Sequence, residues 1–141
     1  MDAQTFRTRI DGERADSIVS AVRTSLGDSL RSVVYFTPSK FDVLYVRSDL
    51  SDSPGGNRER RAQLVDIETV GFAEVPVRSA VSAAGERSSI GDYGFTVRFH
   101  DEGFVVRVLQ DDAGVLFTTD GMDVNAFEDA ATAVKGLLAD R

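Results

Sequence analysis

The chain has 141 residues, 42% of them hydrophobic, and no long apolar run, so it can bury a core without staples but offers no transmembrane helix. Its net charge of −7 argues against nonspecific nucleic-acid binding, which needs a basic face to neutralise phosphates. With no cysteine and a single histidine, disulfides, thiolate nucleophiles, Cys-ligated zinc and the common metal constellations are all removed.

Residues 1–10 are polar with Phe6 and Ile10 embedded, and fix no conformation. From 11 to 26, Ala15, Ile18, Val19, Val22 and Leu26 follow helical spacing, with acids early and Gly27 at the end, which predicts a first helix. Its other face, with Glu13, Asp16, Ser20, Arg23 and Thr24, reads as solvated. Residues 31–36 and 41–47 predict a hairpin over Thr37-Pro38-Ser39-Lys40, with proline at the second turn position. This loop sets Phe36 opposite Phe41 and Val34 opposite Val43, with Tyr45 on their face and Val33, Tyr35, Leu44 and Val46 on the other. Both faces are apolar, so the hairpin is expected to be covered on both sides.

Residues 48–57 read as a loop rich in turn formers. A second helix is predicted over 58–70, with Leu64 and Ile67 marking its buried side, Val65 and Phe72 extending it, and Gly71 as C-terminal cap. Residues 72–77 read as a short extended piece ending near Pro76, and 78–92, without convincing period, as a flexible connection.

Three antiparallel strands follow, over 94–99, 104–110 and 115–119, joined by His100-Asp101-Glu102-Gly103 and Asp111-Asp112-Ala113-Gly114. A one-residue slip turns a strand's faces over, and only an even loop puts Phe95, Val97, Phe99, Phe104, Val106 and Val108 on one apolar face, with Val115 and Phe117 beside them. We read these as four-residue loops, because a two-residue turn asks for positive φ at Asp101 and Glu102. The opposite face, with Thr96, Arg98, His100, Val105, Arg107, Leu109, Leu116 and Thr118, is mixed. The last helix, 124–139, capped by Asp120 or Asp123, carries the best apolar stripe: Val124, Phe127, Ala130, Ala131, Val134, Leu137 and Leu138.

No catalytic set stands out. His100 lacks a nucleophile and an orienting group, and reads as an exposed turn residue. The pairs Asp111/Asp112 and Asp120/Asp123 offer too few spaced oxygens for a hard cation, and turn and cap chemistry accounts for them. Gly55, Gly56 and Asn57 running into Arg58, Arg60 and Arg61 form a candidate contact for an anion or an acidic partner, since a helix start offers N–H groups and arginine planar donors. The same residues also suit a solvated helix start. Leu64, Ile67, Thr96, Arg98 and Arg107 form a candidate interface of apolar and arginine contacts; coverage by the second helix, pairing Glu59, Asp66 or Glu68 with the two arginines, fits equally. No catalytic residue, cofactor or metal is assigned, and the chain is not expected to be an enzyme.

The order helix, two strands, helix, three strands, helix across 11–139 resembles the roadblock/dynein-light-chain fold, a relative of profilin-like and longin domains. The resemblance implies an α+β domain with a five-stranded antiparallel sheet, first and last helices on one face and the middle helix on the other. It further implies a noncatalytic interaction or scaffold domain, dimeric through the middle helix and the edge strand 94–100, that engages a small GTPase or another protein. A profilin-like sheet also admits a second reading, a sensor enclosing a small molecule among its phenylalanines. Aspartate supplies 16 of the 23 acids and lysine only 2 of the 16 bases. This usage, with the stretches Leu30–Phe36 and 41–47, resembles small proteins of salt-loving archaea. The expectation is one domain, 1–141, flexible over about 48–57 and 78–92, in the cytoplasm and away from membranes.

Overall fold

The computed structural model describes residues 5–50, 54–83, 85 and 90–140. Helix α1 (Gly12–Leu26) leads into β1 (Leu30–Phe36) and β2 (Phe41–Val46), then α2 (Pro54–Thr69), a 3₁₀ stretch (Val70–Glu74) and α3 (Val75–Ala83). Strands β3 (Thr96–His100), β4 (Gly103–Gln110) and β5 (Ala113–Thr119) precede α4 (Val124–Ala139). The strands form one antiparallel sheet in the order β2-β1-β5-β4-β3, so β2 and β3 are its edges. This is the α+β roadblock-like architecture, and it follows from where the apolar side chains fall.

On one face, Ile18, Val22 and Leu26 of α1 and Phe127, Ala130, Val134 and Leu138 of α4 meet Val33, Tyr35, Val106, Val108, Val115 and Phe117 of the sheet. The edges of Phe117 and Phe127 meet with centroids 6.1 Å apart, a favoured aromatic arrangement. On the other face, Val34, Phe36, Val105, Leu109 and Leu116 are covered by Val65, Leu64 and Phe72. The central strands are thus buried on both sides, as the doubly apolar sequence 30–36 requires.

The meander register is the expected one: Phe99 faces Phe104, and Val106 faces both Val97 and Phe117. Its turns are shorter than expected, because His100 pairs with Gly103 and Gln110 with Ala113. Removing two residues from a loop leaves the parity of side chains unchanged, so every face survives. Asp101 and Glu102 do not take the positive φ feared for a tight turn; Asp111 does, at 58°, a conformation aspartate tolerates better than most residues.

Three expectations are corrected. Tyr45 does not share a face with Val34. A bulge between Val33 and Val34 inserts Leu44 into the pairing, so Tyr45 joins the α1/α4 cluster with Leu44, and Arg23 lies 5.1 Å over its ring. Helix α2 begins at Pro54 rather than at 58, since proline's missing N–H and fixed φ suit a first helical turn. The part of the expected loop over 51–53 lies outside the described residues. Finally, 72–77 is helical rather than extended, and the second helical piece runs on to Ala83. Pro76 stands in the first turn of α3, where its absent donor breaks no intrahelical bond.

Residues 5–10, whose conformation the sequence left open, are held by one side chain. The carboxylate of Asp42 on β2 accepts from Arg7 N (2.9 Å), Thr8 N (2.7 Å) and Thr8 Oγ1 (2.6 Å). Ile10 is thereby carried into the core.

Candidate functional site

The covering of the sheet by α2 contains a buried ionic network, whereas the core under α1 and α4 is a cluster of apolar side chains. Arg107 on β4 is 2% exposed and Glu68 on α2 1% exposed. Arg107 Nη1 donates to Glu68 Oε1 at 3.4 Å, and Nη2 to Thr96 Oγ1 (2.9 Å), Tyr93 OH (3.3 Å) and Glu74 Oε1 (3.4 Å). The second oxygen of Glu68 accepts from Arg98 Nε at 2.6 Å. One buried carboxylate therefore joins two neighbouring strands to the helix above them. A charge at this depth is tolerated only when paired and hydrogen-bonded.

Gly71 makes room for this group. A Cβ built on it would lie 2.4 Å from both Cζ and Nη1 of Arg107, so the 3₁₀ stretch lies directly against the guanidinium. The expected helix cap is instead a close approach that only glycine permits. At the rim, Arg78 donates to Glu74 at 2.7 Å and lies 4.0 Å over the Tyr93 ring. The Arg78 hydrogen bond, with the charges of Arg107 and Arg78, holds the Glu74 carboxyl below its ordinary value.

The candidate interface residues separate. Arg107 is buried inside the chain and cannot meet a partner there; Glu68 covers it, the arrangement weighed against an interface. Arg98 keeps 41% of its side chain exposed at the β3 edge. Thr96 is half-buried and spends its hydroxyl on Arg107 and Tyr93. Leu64 packs toward Val34 and Phe36, whereas Ile67 points outward, 46% exposed. The buried side of α2 runs through Leu64, Val65 and Glu68, so Ile67 does not belong to it. The only sequence signal for this was Glu68 three residues after Val65, a spacing that places both on one helical side.

The outer surface beside this network carries several apolar side chains among its polar ones. Val70, Val77 and Val81 are exposed with Ile67, along the 3₁₀ stretch and α3, and on the other face of the sheet Phe99 is 72% exposed at the β3 edge. Phe99 meets Phe104 edge-on at 5.1 Å. The β3 edge has no strand beyond it among the described residues, so its outer backbone groups face no sheet partner.

The arginines at the start of α2 also part company. The guanidinium of Arg58 lies 4.1 Å over the Phe41 ring and donates to the Phe41 carbonyl at 3.3 Å. Arg60 and Arg61 instead line a cavity of about 260 Å³ with Arg31, Ser32, Asp49 and Thr118. Burial and the nearby charge of Arg31 push the Arg61 guanidinium below its ordinary value. Gly55, Gly56 and Asn57 belong to the first turn of the helix.

The remaining polar candidates have structural work. His100 is exposed and ends β3 opposite Gly103. Asp111 and Asp112 are the β4–β5 turn. Asp123 caps α4, accepting from Ala126 N at 3.1 Å. Asp120 does not cap; it accepts from Arg31 Nη1 (2.9 Å) and Arg47 Nη1 (2.6 Å). The hydrogen bonds from Arg47 and then Arg31 hold its carboxyl below the usual range. No group of three or more metal-ligating side chains occurs among the described residues. None of the helices among them is long and apolar enough to cross a membrane.

A family model described as a domain of unknown function, DUF7522, matches residues 16–139. The chain is similar to a solved structure, the gliding protein MglB of Thermus thermophilus, with a TM-score of 0.58 at 12% identity and all of both chains covered. This likeness concerns the fold. No curated protein matches the chain.

Proposed function

We propose that this chain, which belongs to the DUF7522 family, is a noncatalytic interaction domain that acts as a cytoplasmic homodimer and regulates a small GTPase in the manner of roadblock domains. The observation that carries the reading is the exposed apolar side chains of the α2–α3 side together with the free β3 edge. Ile67, Val70 and Val77 are exposed on that side, where a solvated surface would be polar, and Phe99 is exposed at the β3 edge on the opposite face of the sheet, the face of Phe95 and Val97. A free strand edge invites pairing with another chain, and Arg98 beside it supplies the arginine common at interface cores. The roadblock fold supports the GTPase part of the proposal, as analogy from fold to function.

The sensor reading has less behind it. Phe36 and Phe117 are fully buried and spend their edges on Phe72 and Phe127, so these rings pack on neighbours rather than around a ligand.

Light scattering coupled to size exclusion tests the dimer, in concentrated KCl because the aspartate-rich composition suits a salt-rich cytoplasm. The expected species is twice the chain mass at micromolar concentration, and Ile67→Asp with Val70→Asp is expected to give a folded monomer. A monomeric parent chain would refute the dimer. Pull-down of a small GTPase by the parent chain but not by the double variant tests the partner.

A further inference from the structure

We propose that the bare strip of sheet beside α4, formed by Phe95, Val97 and Phe99 of β3 with Phe104 of β4, is a docking site for a basic amphipathic helix of a partner protein. The strip lies on the face opposite α2, so the proposal stands whether or not the α2 side dimerises.

The strip exists because the helices run out before the strands do. On this face α1 stands over β2 and β1, and α4 over β5 and β4. Strands lie about 4.8 Å apart and packed helices about 8–10 Å apart, so each helix covers two strands, and the fifth, β3, has none above it among the described residues. Its side chains are nevertheless those of a covered strand. Phe95, Val97 and Phe99 alternate onto this face, the first two half-buried against the core and the third 72% exposed. Phe104, also half-buried, meets Phe99 edge-on. A third helix laid beside α4 would complete the layer and cover all four side chains, in the manner of an amphipathic helix seated in an apolar groove.

The direction of α4 decides which charge that helix should carry. It starts just after Thr119, which faces Phe104, and its Lys135 lines the cavity at Gln110 and Tyr93, so α4 runs along β4 in the same sense. Phe127 meets Phe117, whose neighbour Val106 faces Val97. Glu128 therefore stands level with Val97, and at about two turns from Lys135 it shares that residue's side of the helix. Asp101 and Glu102 form the turn just beyond Phe99. All three acids are exposed, while Lys135, the only cation in α4, is half-buried at the far end of the strip. A second copy of a chain of net charge −7 would bring more acids to this place, whereas a lysine- or arginine-rich helix would pair with them.

The test uses a synthetic helical peptide with leucines on one face and lysines on the other, titrated into the isotopically labelled full chain and followed by amide NMR, with a shuffled peptide of the same composition as control. Saturable shifts at Val97, Phe99, Val106 and Glu128 are expected, with a gain of helical circular dichroism by the peptide. Phe99→Thr, a change that an exposed strand position accepts, should weaken binding about tenfold through loss of an aromatic anchor. Glu128→Gln should weaken it about threefold, as loss of an exposed ion pair does. Asp16→Asn, the same change of charge at an exposed position of α1, should leave it unchanged. Absence of saturation overturns the proposal, as do equal binding of the shuffled peptide and shifts confined to the α2–α3 side around Ile67 and Val77. Binding without gain of helix overturns it in favour of a strand added at the β3 edge. Loss of self-association by Phe99→Thr in light scattering overturns it too, because a second copy would then be what covers the strip.

Discussion

The two faces of the sheet are built on different terms. Against α1 and α4 the core is a continuous apolar cluster, from Ile18 and Val22 to Phe117 and Phe127, with Asp42 and Arg23 at its β2 edge. Against α2 an apolar patch around Phe36 and Leu116 adjoins a buried arginine and a buried glutamate. The first arrangement supplies stability by burying apolar area. The second ties α2 to β3 and β4 through one carboxylate, since Glu68 accepts from both Arg98 and Arg107. The helix so positioned is the one whose outer side we assign to a partner.

The largest losses are expected from truncation on either face. Phe127→Ala should cost about 3–5 kcal/mol, the transfer term plus the cavity left behind. Glu68→Ala should cost a similar amount, about 3–5 kcal/mol, for another reason: it leaves Arg107 buried with only the half-exposed carboxylate of Glu74. Joint replacement distinguishes them. Glu68→Leu combined with Arg107→Met should recover most of the loss, since apolar residues of similar volume replace a buried pair at little cost, whereas nothing paired with Phe127→Ala can refill its cavity so simply. Urea unfolding of the singles and the double checks this, and a double variant as unstable as the sum of its parts would show that the network contributes net stability.

Adding a methyl group sharpens the same contrast with opposite signs. On the α2 side, Gly71→Ala drives a Cβ into Arg107, which Glu68 and Thr96 hold in place, so a loss of about 1–3 kcal/mol is expected from overpacking. On the other side, Gly136 in α4 has nothing within 4 Å of its added Cβ. Gly136→Ala should raise stability by about 0.5–1 kcal/mol through helix propensity. Thermal unfolding of the two variants should move in opposite directions.

The apolar face was the more legible of the two in the sequence. Parity alone placed Val97, Val106 and Phe117 together, and an error of two residues in loop length could not disturb it. Tyr45 defeated the same logic because a bulge reverses parity, and neither Leu44 nor its neighbours announce one by composition. The α2 face was harder because its rule is broken deliberately: Glu68 lies on the buried side and Ile67 on the outer side, against what polarity suggests. A helix start at Pro54 was hidden by two glycines, which are weak helix formers. As for the candidate site, Arg60 and Arg61 were visible, but Arg31 reaches them only through the tertiary fold, thirty residues away in sequence.

The smallest expected effect lies at the end of the sheet, where both faces stop. There Asp120 joins Arg31 at the start of β1 to Arg47 just beyond β2, and Arg47 also donates to the Asp28 carbonyl at 2.8 Å. Arg47 is raised above its ordinary value by Asp120 and Asp49, while Asp120 is lowered. A carboxyl lowered in the folded state contributes stability in full above its unfolded value of about 3.9, and loses it as pH falls through the folded value. The carboxylate is 46% exposed, so solvent screening limits the contribution to under about 1 kcal/mol. Asp120→Asn should therefore be slightly less stable than the parent at pH 7 and indistinguishable from it near pH 2. Unfolding in urea at the two pH values measures the difference. A penalty that persisted in acid would mean that Asp120 acts through its shape and hydrogen bonds, and that charge at the sheet's end adds nothing to what the two faces supply.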